Sequence, residues 1–168
     1  MTAVNENEQN ELAAKLYSCI EELLPQVGIK HFAGDEEGLR FRYNVTGDDI
    51  PMSFILRIVP DAGIISLLSP FPFNIKENSL VPVSVALAAS NNSILNGSFD
   101  LDLKDGSVYF RISNCYGEDL IDADTLGYLV SVASNTVDRY NDRILALNKN
   151  IISLDDYLEW IDSMNNGQ

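Results

Sequence analysis

Residues 99–112 read Phe-Asp-Leu-Asp-Leu-Lys-Asp-Gly-Ser-Val-Tyr-Phe-Arg-Ile, and this stretch decides the fold class. Phe99, Leu101 and Leu103 alternate with Asp100, Asp102 and Lys104. Past Asp105-Gly106, Val108, Phe110 and Ile112 alternate with Tyr109 and Arg111. A period of two sends one set to a buried face and the other to water, so both runs are strands. An Asp-Gly pair between such runs favours a two-residue primed turn, whose central residues need positive φ. That turn predicts Leu103 opposite Val108, Leu101 opposite Phe110 and Phe99 opposite Ile112. On the wet face it sets Asp100 across from Arg111, an attractive pair.

The same period appears upstream. Leu39, Phe41, Tyr43 and Val45 alternate with Arg40, Arg42 and Asn44. Gly47-Asp48-Asp49 turns the chain into a second strand. There Met52, Phe54, Leu56 and Ile58 point one way, and Ser53, Ile55, Arg57 and Val59 the other. Pro60-Asp61-Ala62-Gly63 is a turn, since proline fixes φ and glycine admits positive φ. Ile64 to Ser69 returns as a third strand, which Pro70 and Pro72 are expected to end. These three strands make an antiparallel meander.

Helices surround the strands. Leu12, Leu16, Ile20, Leu23 and Val27 recur at spacings of three and four, predicting a first helix over residues 5–27. Asn5 and Glu8 form a capping pair at its start, and Pro25 and Gly28 end it. A second, uncharged helix starts near Asn78 or Ser79, with Pro82 in its first turn, and is expected to lie against the sheet. A long third helix runs from Asp122 or Asp124 to about Leu147 on the stripe Leu126, Leu129, Ala133, Val137, Tyr140, Ile144 and Leu147. Ser153 and Asp156 cap a short last helix carrying Leu154, Tyr157, Leu158, Trp160 and Ile161. The order is αβββαββαα with about five strands. Lacking βαβ alternation, it is an α+β antiparallel sheet with flanking helices.

The paired asparagines Asn91 and Asn92, Gly97, the Phe99-Asp100-Leu101-Asp102 alternation, and Asp105-Gly106 before Val108-Tyr109-Phe110-Arg111 resemble the YbjN-like family of bacterial sensory-transduction regulators. The helix bearing Val137, Asp138 and Tyr140 is similar as well, and so is the element order from the first helix to the third. The resemblance covers roughly residues 8–147, and the helix over 151–164 lies beyond it. That family is similar in fold to type III secretion chaperones. The likeness implies an α/β sandwich, dimerisation and the binding of another polypeptide. It supplies no catalytic, cofactor or metal residues to carry over.

Composition narrows the function. The chain has 168 residues, 46% hydrophobic and 21% charged, which suits one globular domain. Eleven Lys and Arg against 25 Asp and Glu give a net charge of −14, a field that repels nucleic-acid phosphate and anionic membrane. Residues 1–10 hold Glu6 and Glu8 and no basic or apolar run, unlike a signal or transit peptide. Pro82, Asn91, Asn92 and Asn96 break up the longest uncharged stretch, so no membrane-spanning run survives. Two cysteines are too few for a secreted disulfide scaffold, and the expected home is the cytoplasm.

Catalytic chemistry finds little to stand on. His31 is the only histidine, and Cys19 and Cys115 have no Cys-x-x-Cys partner, so neither a zinc site nor an activated thiol is expected. Read as a calcium loop starting at Asp100, the hairpin would put Lys104, Asp105 and Arg111 where an acid, a glycine and a glutamate are needed. Glu118, Asp119, Asp122 and Asp124 lead into a helix, whose N-terminus they suit without a metal. The expected function is therefore a non-catalytic protein-binding module with no cofactor, acting on a polypeptide partner and forming a homodimer. Its candidate contact residues are Ile55, Val59, Ile65 and Leu67 on the less covered sheet face, together with Trp160. Two other readings compete: an acidic sequestering inhibitor or immunity-type protein, and an enzyme with an unrecognised carboxylate site.

Overall fold

The alternating runs assemble into one antiparallel sheet with helices on a single side. The computed structural model describes residues 6–48 and 50–165. Its elements are α1 (Glu6–Leu23), β1 (Phe32–Asp35), β2 (Arg40–Val45), β3 (Met52–Val59), β4 (Ile64–Asn74), α2 (Leu80–Ser93), β5 (Ser98–Leu101), β6 (Ser107–Cys115), α3 (Ala123–Asn148) and α4 (Leu154–Asn165). The six strands lie in the order β1-β2-β3-β4-β6-β5. All the expected strands are present, and β1 joins them at one edge. Asn5 of the expected cap and Asp49 of the expected turn lie outside the described residues.

Strand parity decides what is buried. Phe41, Tyr43, Phe54, Leu56, Ile58, Ile65, Leu67, Phe99, Val108, Phe110 and Ile112 share the face on which α1, α2 and α3 pack. From the helical side come Leu16, Ile20 and Leu24 of α1, Val83 and Leu87 of α2, and Leu126, Ala133, Val137 and Ile144 of α3. Aromatic rings knit the layers edge to face: Phe99 meets Phe71, Phe110 and Tyr140 at 5.2 to 5.8 Å.

The hairpin register departs from the sequence expectation. Phe99 pairs with Phe110 and Leu101 with Val108, two residues away from the pairing a tight Asp-Gly turn predicts. The connection is wider: Asp102 N–H donates to Ser107 O (2.9 Å), and Gly106 N–H to Asp102 O (2.8 Å). Inside it Asp102 Oδ1 accepts from Lys104 N–H and Asp105 Oδ1 from Ser107 N–H, both at 2.8 Å. These carboxylate caps favour the larger loop. Gly106, at φ 74°, lies so close to the Ile75 backbone that a side chain there would collide. A slip of two residues keeps every side chain on its face, so the core set survives. Leu103 alone leaves it and is 66% exposed in the turn. Arg111 now opposes Ser98 and reaches Asp100 diagonally at 2.8 Å.

Pro70 and Pro72 do not end the third strand of the meander. β4 continues to Asn74, with its ladder to β6 interrupted between Pro70 and Asn74. Pairing with β3 stops at Leu68, so the prolines sit where one side of the strand asks for no donor.

Helix ends follow their side chains. Asp122 caps α3 by accepting Thr125 N–H at 2.8 Å. Ser153 and Asp156 form a reciprocal capping box on α4: Asp156 N–H donates to Ser153 Oγ (3.1 Å) and Ser153 N–H to Asp156 Oδ2 (2.8 Å). α4 packs on α2 and α3 rather than on the sheet. Tyr157 is fully buried there, with its hydroxyl 2.9 Å from Ser90 Oγ. Buried Asn148 ties the end of α3 to the β4–α2 connection, accepting Lys76 N–H (2.9 Å) and donating to Asn74 O (3.0 Å).

Candidate protein-binding surface

Because every helix packs on one face, the other face of the sheet carries no helix among the described residues. Its centre holds Ile55, Val59, Ile64 and Leu68, all half-buried, with Pro70 and Tyr109 beyond them. Ser66 lies among them and accepts a hydrogen bond from Ser113 Oγ at 3.0 Å.

Ladder register fixes the charges on this face. Arg40 lies directly across from Arg57, and Arg42 across from Ile55. Two of the arginines on this face are paired within the chain, Arg40 to Asp35 (2.6 Å) and Arg111 to Asp100 (2.8 Å). Asp35 also accepts Gly38 N–H (2.9 Å). That backbone bond first, and then the Arg40 guanidinium, hold its carboxyl below the usual carboxylate range. Arg42 adds to Asp35's field without forming an ion pair, and Arg57 forms none among the described residues. A shallow depression of about 530 Å³ lies beside Arg42, Asn44, Ser53, Ile55 and Pro70.

The two sheet edges differ. At β5 the Asn91 side chain takes both backbone groups of Phe99, its Oδ1 accepting N–H (2.7 Å) and its Nδ2 donating to the carbonyl (3.0 Å). Asn91 thus stands in for a neighbouring strand and closes that edge. Nothing comparable covers β1 among the described residues.

The residues expected at a partner surface separate. Ile55 and Val59 do lie on the open face. Ile65 and Leu67 do not: they pair with Ile58 and Leu56, share the helical face, and are 0% and 1% exposed. The run Ile64–Ser69 is apolar on both faces, so only the pairing shows which half turns inward. Trp160 stands half-buried in the helical layer, its ring 5.3 Å from both Tyr140 and Tyr157 and beneath the Arg143 guanidinium. Its ring contacts link α4 to Tyr140 and Arg143 of α3. Arg42, Arg57 and Leu68 lie on the same open face as Ile55 and Val59; Arg42 and Arg57 mark the wet positions of their strands in the sequence, and the side taken by Leu68 shows only in the pairing.

Cys19 Sγ donates to Ile121 O (3.5 Å), and burial, with Glu22 adding to it, pushes its thiol up, away from a reactive thiolate. His31 and Cys115 are exposed. No group of three metal-ligating side chains converges among the described residues. Among them, too, no helix is long and apolar enough to cross a membrane.

No family model and no curated protein matches this sequence. Solved structures do match the fold. YbjN of E. coli, a candidate transcription regulator, superposes with a TM-score of 0.55 at 13% identity, over 75% of this chain and 91% of YbjN. A chain of the ExsC–ExsE complex gives 0.55 at 13%, over 77% of this chain and 93% of that one. A chain of the HopA1–SchA chaperone–effector complex gives 0.52 at 15%, over 77% and 94%. The fold is YbjN-like and is shared with a chain of a chaperone–effector complex.

Proposed function

We propose that this chain is a non-catalytic, chaperone-like or regulatory module of the cytoplasm that holds a segment of a partner polypeptide on its open sheet face. One observation carries the reading: the sheet face centred on the half-buried Ile55, Val59, Ile64 and Leu68 has no helix over it among the described residues, while α4 is packed on α2 and α3. Bare apolar sheet surface is costly in water and ordinarily has an occupant. Likeness in fold to a chain of a chaperone–effector complex supports a polypeptide as that occupant. A single histidine and a Cys19 thiol pushed up by burial offer little to nucleophilic catalysis.

A photo-crosslinking residue in place of Ile55, in the full chain within its native host, tests this. Polypeptide adducts should exceed those from a crosslinker at Asn135, on the exposed side of α3. Equal labelling from both positions, or none from Ile55, would defeat the reading. A symmetric homodimer belongs to the same proposal. Sedimentation of the full chain at two salt concentrations should show it, most clearly at high salt where the −14 charges are screened. A monomer under both conditions rejects the dimer.

A further inference from the structure

We propose that the open face selects an acidic segment, one in which carboxylates alternate with apolar side chains and two carboxylates are held by Arg42 and Arg57. The inference rests on the reading of this face as a polypeptide surface, and adds the chemistry of what it holds. Every charged residue within a strand lies on this face: Arg40, Arg42, Arg57, Arg111, Asp35 and Asp100. The face is therefore net positive on a chain whose charge is −14. Solubility does not call for arginines there, since the acids elsewhere already provide it.

The unpaired arginines sit at a useful spacing. Arg42 is opposite Ile55, and Arg57 is two residues further along the same strand, so the two form a diagonal pair on adjacent strands. Diagonal neighbours in a ladder stand about 7–8 Å apart. Alternate side chains of an extended peptide repeat at about 7 Å, from a rise of about 3.3 Å per residue. Two carboxylates at positions i and i+2 of such a peptide therefore meet both guanidiniums. Like charges facing across a ladder are unfavourable, and Arg57 faces Arg40. Asp35 answers Arg40, and a partner carboxylate at Arg57 answers the other. Ile55 and Leu68 are paired across β3 and β4, beside the depression next to Arg42, and receive the peptide's apolar side chains. A nucleic acid offers the same negative charge, but the acidic remainder of the chain repels its continuous phosphate backbone, and Ile55 and Leu68 beside the two arginines give bases no ring to stack on.

Fluorescence anisotropy with the full chain tests the assignment, using a short labelled peptide alternating valine and glutamate. Matched peptides carry glutamine or lysine in place of glutamate. The glutamate peptide should bind more than about tenfold tighter than the glutamine peptide, and less tightly as salt rises. The double variant Arg42→Glu, Arg57→Glu should lose more than about tenfold. Arg42→Gln, Arg57→Gln should lose less and melt like the parent, which separates lost contacts from lost folding. Equal binding of the glutamine peptide, or a double variant that binds undiminished, overturns the assignment while leaving the face a polypeptide surface. Tighter binding of a labelled single-stranded oligonucleotide overturns it in favour of nucleic acid. Silence from all three peptides also overturns it, and if crosslinking from Ile55 is then empty as well, the wider reading falls with it.

Discussion

The two faces of this sheet are built from the same strands and pay opposite debts to water. On one face Phe54, Leu56 and Ile58 lie under α1 and α3 and vanish from solvent. On the other, Ile55, Arg57 and Val59 stand one residue away along the same chain, without a helix above them. The helical face holds most of the buried core, and the open face carries half-buried and exposed groups, Arg57 among them, with no helix over them. Such groups are where function is to be sought.

Adjacent positions on β3 put that difference to its hardest test. Phe54→Ala should cost about 3–5 kcal/mol in a denaturant titration, because a fully enclosed ring leaves a cavity. Ile55→Ala should cost less than about 1 kcal/mol, since its half-buried side chain loses few neighbours, while polypeptide capture by the open face drops. Equal losses at both positions would mean that something covers the second face. Trp160→Ala should fall between, at about 2 kcal/mol, by loosening α4, and should leave binding to the open face unchanged. Binding lost in proportion with no change in stability would return Trp160 to the partner surface.

Much of this division can be read directly from residues. Alternation along 39–45, 52–59 and 99–112 names the inward residues of β2, β3, β5 and β6, and the helical stripes name their cover. Parity is robust: the hairpin slips by two residues, yet Phe99, Phe110 and Ile112 still point inward. What parity cannot do is orient a strand that is apolar on both sides, which is how Ile65 and Leu67 come to be expected on the wrong face. β1 is too short and glycine-containing to give a periodic signal. Its Phe32 and Gly34 are recognisable as strand residues only from their pairing with Tyr43 and Phe41. The arginine spacing on the open face is likewise a property of register, since Arg42 and Arg57 are fifteen positions apart in sequence and become diagonal neighbours only in the ladder.

A smaller contrast lies within the helical face, between two buried asparagines of α3. Asn148 uses its amide fully, on Lys76 N–H and Asn74 O. Asn141 is 1% exposed, and neither amide atom has a partner among the described residues. Asn148→Leu strands two backbone groups and should cost about 1–3 kcal/mol. Asn141→Leu removes two unsatisfied atoms at similar volume and should be neutral or raise the melting temperature. Destabilisation by Asn141→Leu comparable to that of Asn148→Leu would show that Asn141 is satisfied by bound water.

The smallest effects concern exposed carboxylates, one on each side of the sheet. On the helical side, Asp122 is held below the usual carboxylate range by its bonds to Thr125. On the open face, Asp35 is held down first by Gly38 N–H and then by Arg40. In both cases the folded pKa lies below the unfolded one, so as pH falls the unfolded chain takes up the proton first. The stabilisation is therefore complete above the ordinary carboxylate value of about 4 and is lost as pH falls through the folded pKa. Asp122→Asn and Asp35→Asn should each lower the urea midpoint at neutral pH, and the gap from the parent should close towards pH 3. A gap that stays constant with pH would mean that the carboxylate charge contributes nothing. Salt then tells the two apart. The gap for Asp35→Asn should narrow as ionic strength rises, because the Arg40 contribution to it is a surface ion pair. Asp122 accepts a local backbone hydrogen bond, so its gap should narrow less. If the Asp35 gap instead ignores salt, the Gly38 bond alone holds that carboxylate. Arg40 is then as free as Arg42 and Arg57 to meet an acidic partner.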